Sequence, residues 1–135
     1  MDCVKILKTD ISQTNLTEVS DILQNKNSIS VAICNVNTLV RSYKNSKLQE
    51  KINSFDIKAP DGFPVAKASN LIYKNNQKRV DGFNVFHETI NKGLEKNLSH
   101  YFFGNNEETT LLMVEKLKLK YPKINIVGYY CPPTK

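Results

Sequence analysis

Short apolar runs alternate with segments of helical periodicity along the whole chain, and this alternation limits the fold more than any other feature. Val4 to Leu7, Ser28 to Cys34, Phe55 to Ala59, His100 to Phe103 and Ile124 to Tyr130 read as strands; in the second, Ile29, Val31 and Ile33 share one face. Between them, Asn15 with Glu18 three residues later marks a helix start running to about Gln24. Val36, Leu39, Val40 and Tyr43 form one helical stripe, which continues or restarts after Asn45 through Leu48 and Ile52. A helix is expected from Asp61 to about Tyr73, then a polar turn over Lys74 to Lys78. Phe83, Phe86, Ile90 and Leu94 give another stripe, and Met113, Leu117 and Tyr121 a last one, ended by Pro122. Strands alternating with helices imply βαβ units, and hence an α/β fold with a mainly parallel sheet flanked by helices. A chain of 135 residues with 40% hydrophobic content fits a single such domain, 1–135.

In open α/β sheets ligands bind at the carboxyl ends of strands. Asp61-Gly62 ends one apolar run, and Arg79, one of only two arginines, returns eighteen residues later before a second Asp-Gly pair, Asp81-Gly82. A carboxylate and a guanidinium at such an edge suit group transfer from a phosphorylated donor, since guanidinium grips phosphate oxygens bidentately. The plain alternatives are that Asp61 caps the following helix and that Arg79 makes a surface ion pair. Asn35 follows a strand and opens a helix, so its amide can cap that helix or meet sugar hydroxyls, with Asn37 and Thr38 beside it. Gly104 to Asn106 sits between a strand and a helix, where backbone N–H groups can receive phosphate or simply make a turn.

The net charge of +6 is carried mostly by dispersed lysine, which serves solubility first and favours anionic partners second. RNA binding is disfavoured because aromatic stacking motifs of the usual kind are absent. Cys3, Cys34 and Cys131 are odd in number, scattered and without CxxC spacing, and His87 and His100 stand apart, so neither a disulfide framework nor a metal site is expected. No apolar run approaches the roughly 20 residues that cross a bilayer. MDCVKILKTD has no long apolar h-region, so a cytoplasmic chain is expected.

Four segments carry a resemblance: ICNVNTLVRS (Ile33 to Ser42), Pro60-Asp61-Gly62, the RVDG of Arg79 to Gly82, and YPKINIVGYYCPP (Tyr121 to Pro133). In this order and spacing they resemble the WecG/TagA/CpsF family of bacterial glycosyltransferases, from about Ile29 to Pro133. The resemblance implies a Rossmann-like fold and inverting, metal-independent transfer without a cofactor. A hexose of N-acetylmannosamine type would pass from a UDP-sugar donor to an undecaprenyl-pyrophosphate-linked acceptor, feeding teichoic acid or related cell-envelope polysaccharide. It implies that Asp61 is the catalytic base, that Arg79 binds phosphate in the active-site pocket and that Asn35 orients sugar. Asn37, Gly62 and Gly104 join them as substrate-binding candidates.

Three departures stand out. Ile33 occupies a place where many members carry threonine, Asp81 replaces a small residue, and the glycine content around Gly104 is low. By the resemblance the chain also lacks the family's C-terminal part, with its glutamine-bearing PKQE-type segment, RAP-type element and basic membrane-reaching tail. That leaves open a truncated product, one part of a split enzyme or an excised domain. It also leaves open a non-catalytic sugar-nucleotide-binding domain, peripheral contact with the inner face of the plasma membrane, and a homo-oligomer.

Overall fold

A computed structural model describes residues 1–133. In order the elements are β1 (Cys3–Ile6), β2 (Thr9–Ser12), α1 (Leu16–Asn25), β3 (Val31–Cys34), α2 (Val36–Tyr43), α3 (Ser46–Asn53), β4 (Ile57–Pro60), α4 (Phe63–Tyr73), α5 (Gly82–Gly93), β5 (Ser99–Phe103), α6 (Glu107–Lys120) and β6 (Asn125–Tyr130). The fold is α/β, as the alternation predicts. The strands form three pairs, not one mainly parallel sheet: β3 with β4 and β5 with β6 run parallel, and β1 with β2 antiparallel. The chain divides into two compact units, Met1–Thr89 and a second from Ile90 onward.

In the first unit all four residues of β4 are buried, the signature of a strand covered on both faces. Val4, Ile6, Ile11, Cys34, Leu39, Ile52 and Val65 form one apolar cluster. Val19, Ile57, Ala59, Val80 and Val85 form the other. Burial of this kind stabilises by about 25 cal/mol per Å² of apolar surface, which holds β4 in place. Lys58 is buried too, and its ammonium donates to the carbonyl of Phe55 at 3.1 Å.

Helix starts follow local chemistry. Asn15, Asn35, Asn45 and Asn106 each accept, through the side chain, from the backbone N–H three residues on, so the second stripe does restart after Asn45. The hairpin of β1 and β2 goes beyond the sequence reading, which had one strand there. Its turn places Leu7 and Lys8 at φ 48° and 64°, a conformation that Asn or Gly normally announces. The α5 stripe also lies differently: Val85 and Ile90 are buried, while Phe83 is exposed.

The loop from Lys74 to Val80 is held by Gln77. This buried side chain accepts from Thr14 N at 3.2 Å and donates to Thr14 O at 2.6 Å, as a neighbouring strand would. Its backbone is clamped in turn: the Gln77 N–H donates to Asn70 Oδ1, and Asn70 Nδ2 donates to Gln77 O at 2.9 Å.

In the second unit Gly104 N donates to Tyr130 O at 2.9 Å, extending the pairing of β5 with β6. Tyr121 N closes α6 on Leu117 O before Pro122. No helix among the described residues is long and apolar enough to cross a membrane.

Gln77→Ala strands both polar groups of Thr14 in a buried setting, so unfolding in urea should show a loss of about 1–3 kcal/mol. An unchanged midpoint would mean that the loop is held by other contacts.

Candidate active site

Two backbone hydrogen bonds assemble the site. Asp61 N donates to Cys34 O at 3.0 Å, continuing the β3–β4 ladder one residue past the end of β4. Val80 N donates to Pro60 O at 2.8 Å, bringing the chain from the Gln77 loop alongside the same strand end. Asn35, Asp61, Arg79 and Asp81 are thereby gathered at one rim, the carboxyl end of the parallel pair, where α/β folds bind ligands.

Asp61 does not cap α4. The N-cap is Gly62, with no side-chain cap bond, and Pro64 occupies the first turn. Gly62 lies at φ 89°, a backbone conformation that residues with a Cβ rarely adopt, and it turns the chain sharply from strand into helix. Among the described residues the Asp61 carboxylate has no hydrogen-bond partner. Partial burial pushes its pKa above the ordinary 3.8; the Asp81 carboxylate adds to the rise and the Arg79 guanidinium opposes it. Arg79 is exposed and no ion pair engages it among the described residues, so it is not spent on a surface pair.

Asp81 does what Asp61 does not. It opens α5, with Oδ1 accepting from Asn84 Nδ2 at 2.7 Å and its carbonyl accepting from Val85 N at 3.0 Å. Asn35 Oδ1 accepts from both Thr38 N (2.9 Å) and Thr38 Oγ1 (3.0 Å), capping α2. Its NH2 group has no partner among the described residues and remains available at the rim. Asn37 is exposed in the first turn of α2. Ile33 turns toward the start of α5: a methyl placed on Gly82 would sit 3.5 Å from Ile33 Cγ2. An apolar residue there thus serves the packing of α5 on β3.

Gly104 belongs to the second unit, at φ 120°, with its N–H taken by Tyr130 and its carbonyl accepting from Thr110 Oγ1 at 3.3 Å. Cys34 is buried at the end of β3, its thiol pushed up to about 11 mainly by burial. No group of three or more His, Cys, Asp or Glu among the described residues could hold a metal ion.

This rim joins three of the four segments that the sequence sets apart, those around Asn35, Asp61 and Arg79, and the pattern of the glycosyl transferase WecG/TagA/CpsF family matches residues 4–135. The chain belongs to that family. Two relatives bear the name N-acetylglucosaminyldiphosphoundecaprenol N-acetyl-beta-D-mannosaminyltransferase. The one from Bacillus spizizenii (strain ATCC 23059 / NRRL B-14472 / W23) is 29% identical over 112 residues, covering 83% of this chain and 43% of the relative. The one from Bacillus subtilis (strain 168) is 27% identical over 121 residues, covering 86% of this chain and 47% of the relative. The chain thus spans less than half the length of these WecG/TagA/CpsF members.

What the sequence reading missed is Gln77, which fixes the approach of Arg79, and the effect of Asp81 on Asp61. A lone glutamine in a polar turn carries no periodic signal that would reveal it.

The electrostatics can be tested one charge at a time. Asp81→Asn keeps a capping residue and should lower the Asp61 pKa, while Arg79→Gln should raise it; carbon-detected NMR titration of the Asp61 carboxyl reads both. Because the fold holds this proton more tightly than the unfolded chain does, Asp61 makes the fold less stable as pH climbs from 3.8 through its raised value. Identical titration curves in all three proteins would show that these charges do not reach Asp61.

Proposed function

We propose that the chain carries the Asp61 side of a glycosyltransferase site that moves an N-acetylmannosamine-type hexose from a UDP-sugar to a lipid-diphosphate-linked N-acetylglucosamine. The observation that carries this reading is the uncapped carboxylate at the end of β4, within electrostatic reach of an unpaired guanidinium. The names of the relatives supply the acceptor class and the transferred sugar.

In the proposed step Asp61 takes the proton of the acceptor hydroxyl while its oxygen bonds to the anomeric carbon. The bond from that carbon to the donor's diphosphate oxygen breaks, and UDP leaves with the electron pair. Attack on the face opposite the leaving group inverts the anomeric centre, and no metal takes part. A carboxylate pushed up by burial and by Asp81 is a stronger base than a solvated one, which suits general base work nearer neutral pH. Arg79 binds phosphate, and Asn35 presents its free NH2 to a sugar oxygen. Asn37 and Gly62 complete the proposed substrate contacts at this rim, Gly62 by letting backbone and ligand approach closely. The β3–β4 rim serves this chemistry in the Rossmann-like manner, at the cytoplasmic face of the membrane where lipid-linked acceptors are met.

Asp61→Asn should lower transfer from UDP-N-acetylmannosamine by about 10²–10⁴-fold while circular dichroism and melting stay near wild type. Near-normal turnover in that variant would remove Asp61 from the base role. UDP-sugar binding without any turnover by the unmodified chain would mark it as a non-catalytic domain of the same fold.

A further inference from the structure

Beside the rim, along α4, lies an open groove of about 420 Å³ whose lining includes Phe63, Lys67, Asn70, Gln77, Lys78 and Arg79. That volume falls in the usual range for small-molecule sites, about 300–1,000 Å³. Three of its lining residues are cations and none is acidic. No ion pair engages Lys67, Lys78 or Arg79 among the described residues. Three like charges around one concavity repel one another unless an anion joins them, so the arrangement asks for a multiply charged ligand.

The groove is apolar as well as cationic. Phe63 is 67% exposed at its edge, with the Lys67 ammonium 5.7 Å from the ring centre. Phe63, Lys67 and Leu71 follow one another at four-residue spacing along one strip of α4, and Leu71 is 78% exposed. An exposed apolar strip leading away from a cluster of cations suits an amphiphile with an anionic head and a hydrocarbon tail. The opposite wall is rigid, because Gln77 is locked to Thr14 and Asn70. The site is therefore formed before any ligand arrives. Arg79 belongs both to this groove and to the charges acting on Asp61, so a head group held here lies next to the base.

From this juxtaposition we infer that the Lys67–Lys78–Arg79 groove binds the diphosphate of a polyisoprenyl-diphosphate-linked acceptor, with Phe63 and Leu71 receiving the first isoprene units. The inference rests on the proposed function for the acceptor's class and adds where on this chain the diphosphate and lipid enter. It separates the two phosphate-bearing substrates: the acceptor's diphosphate takes the groove, and the donor's diphosphate lies elsewhere at the rim.

Calorimetry on the 135-residue chain with farnesyl diphosphate, inorganic pyrophosphate, farnesol and UDP tests it. Farnesyl diphosphate should bind about tenfold or more tightly than either pyrophosphate or farnesol, because head and tail both contribute. Lys67→Ala with Lys78→Ala should weaken farnesyl diphosphate by at least about tenfold and leave UDP binding and the melting temperature unchanged, as both side chains are exposed. Phe63→Ala should reduce farnesyl diphosphate to the affinity of pyrophosphate. Equal affinity for pyrophosphate and farnesyl diphosphate, an unaffected double variant, or displacement of farnesyl diphosphate by UDP would each overturn the inference. So would equal binding of the wild type and the double variant to phosphatidylglycerol vesicles carrying farnesyl diphosphate. These outcomes are independent of turnover: a failed groove leaves Asp61 as base, and an active Asp61→Asn variant leaves the groove standing.

Discussion

Two hydrogen bonds at the end of β4 hold the candidate site together. The bond from Asp61 N to Cys34 O fixes where strand stops and Gly62 turns, and the bond from Val80 N to Pro60 O fixes where the returning chain lies. Each backbone hydrogen bond of this kind adds only about 1 kcal/mol on balance, but both sit where β4 is covered on either face, so neither can slip without unpacking the core. Gln77 extends the same logic sideways by pairing with Thr14 as a strand would. Chemistry at this rim is thus inherited from the packing of β4.

The electrostatics follow from that placement. Two carboxylates and one guanidinium share the strand end, and their division of labour comes from local bonding. Asp81 is engaged by Asn84 at the start of α5, which keeps it in place. Asp61 has no such partner and is partly buried, so it bears the repulsion and holds its proton more tightly. Arg79 limits the rise and faces the groove. The aspartate that replaces a small family residue thus acts on the other carboxylate.

Much of this was legible in the sequence, for physical reasons. Apolar runs such as Val31 to Cys34 have strand length and flank helical stripes, and the Asn caps at positions 15, 35 and 45 each announce a helix. The β1–β2 hairpin was hidden because Leu7 and Lys8 adopt a turn conformation for which neither residue has a preference. The Phe83 stripe misled because a large exposed aromatic carries the same periodic signal as a buried one. At the site, Asp61 and Arg79 could be picked out by position and type, yet spacing alone could not say whether Asp61 caps α4. Gly62 decides that, by taking the N-cap itself at φ 89°. The pairing of three antiparallel and parallel two-strand units likewise depends on long-range contacts that periodicity does not encode.

The most direct test of the account is a crystal structure of the chain bound to an N-acetylglucosaminyl-diphospho-farnesol. It should show a sugar hydroxyl within about 2.6–3.2 Å of an Asp61 carboxylate oxygen, with the diphosphate beside Arg79. A sugar seated away from Asp61, or an Asp61 carboxylate turned back onto the first turn of α4, would contradict it.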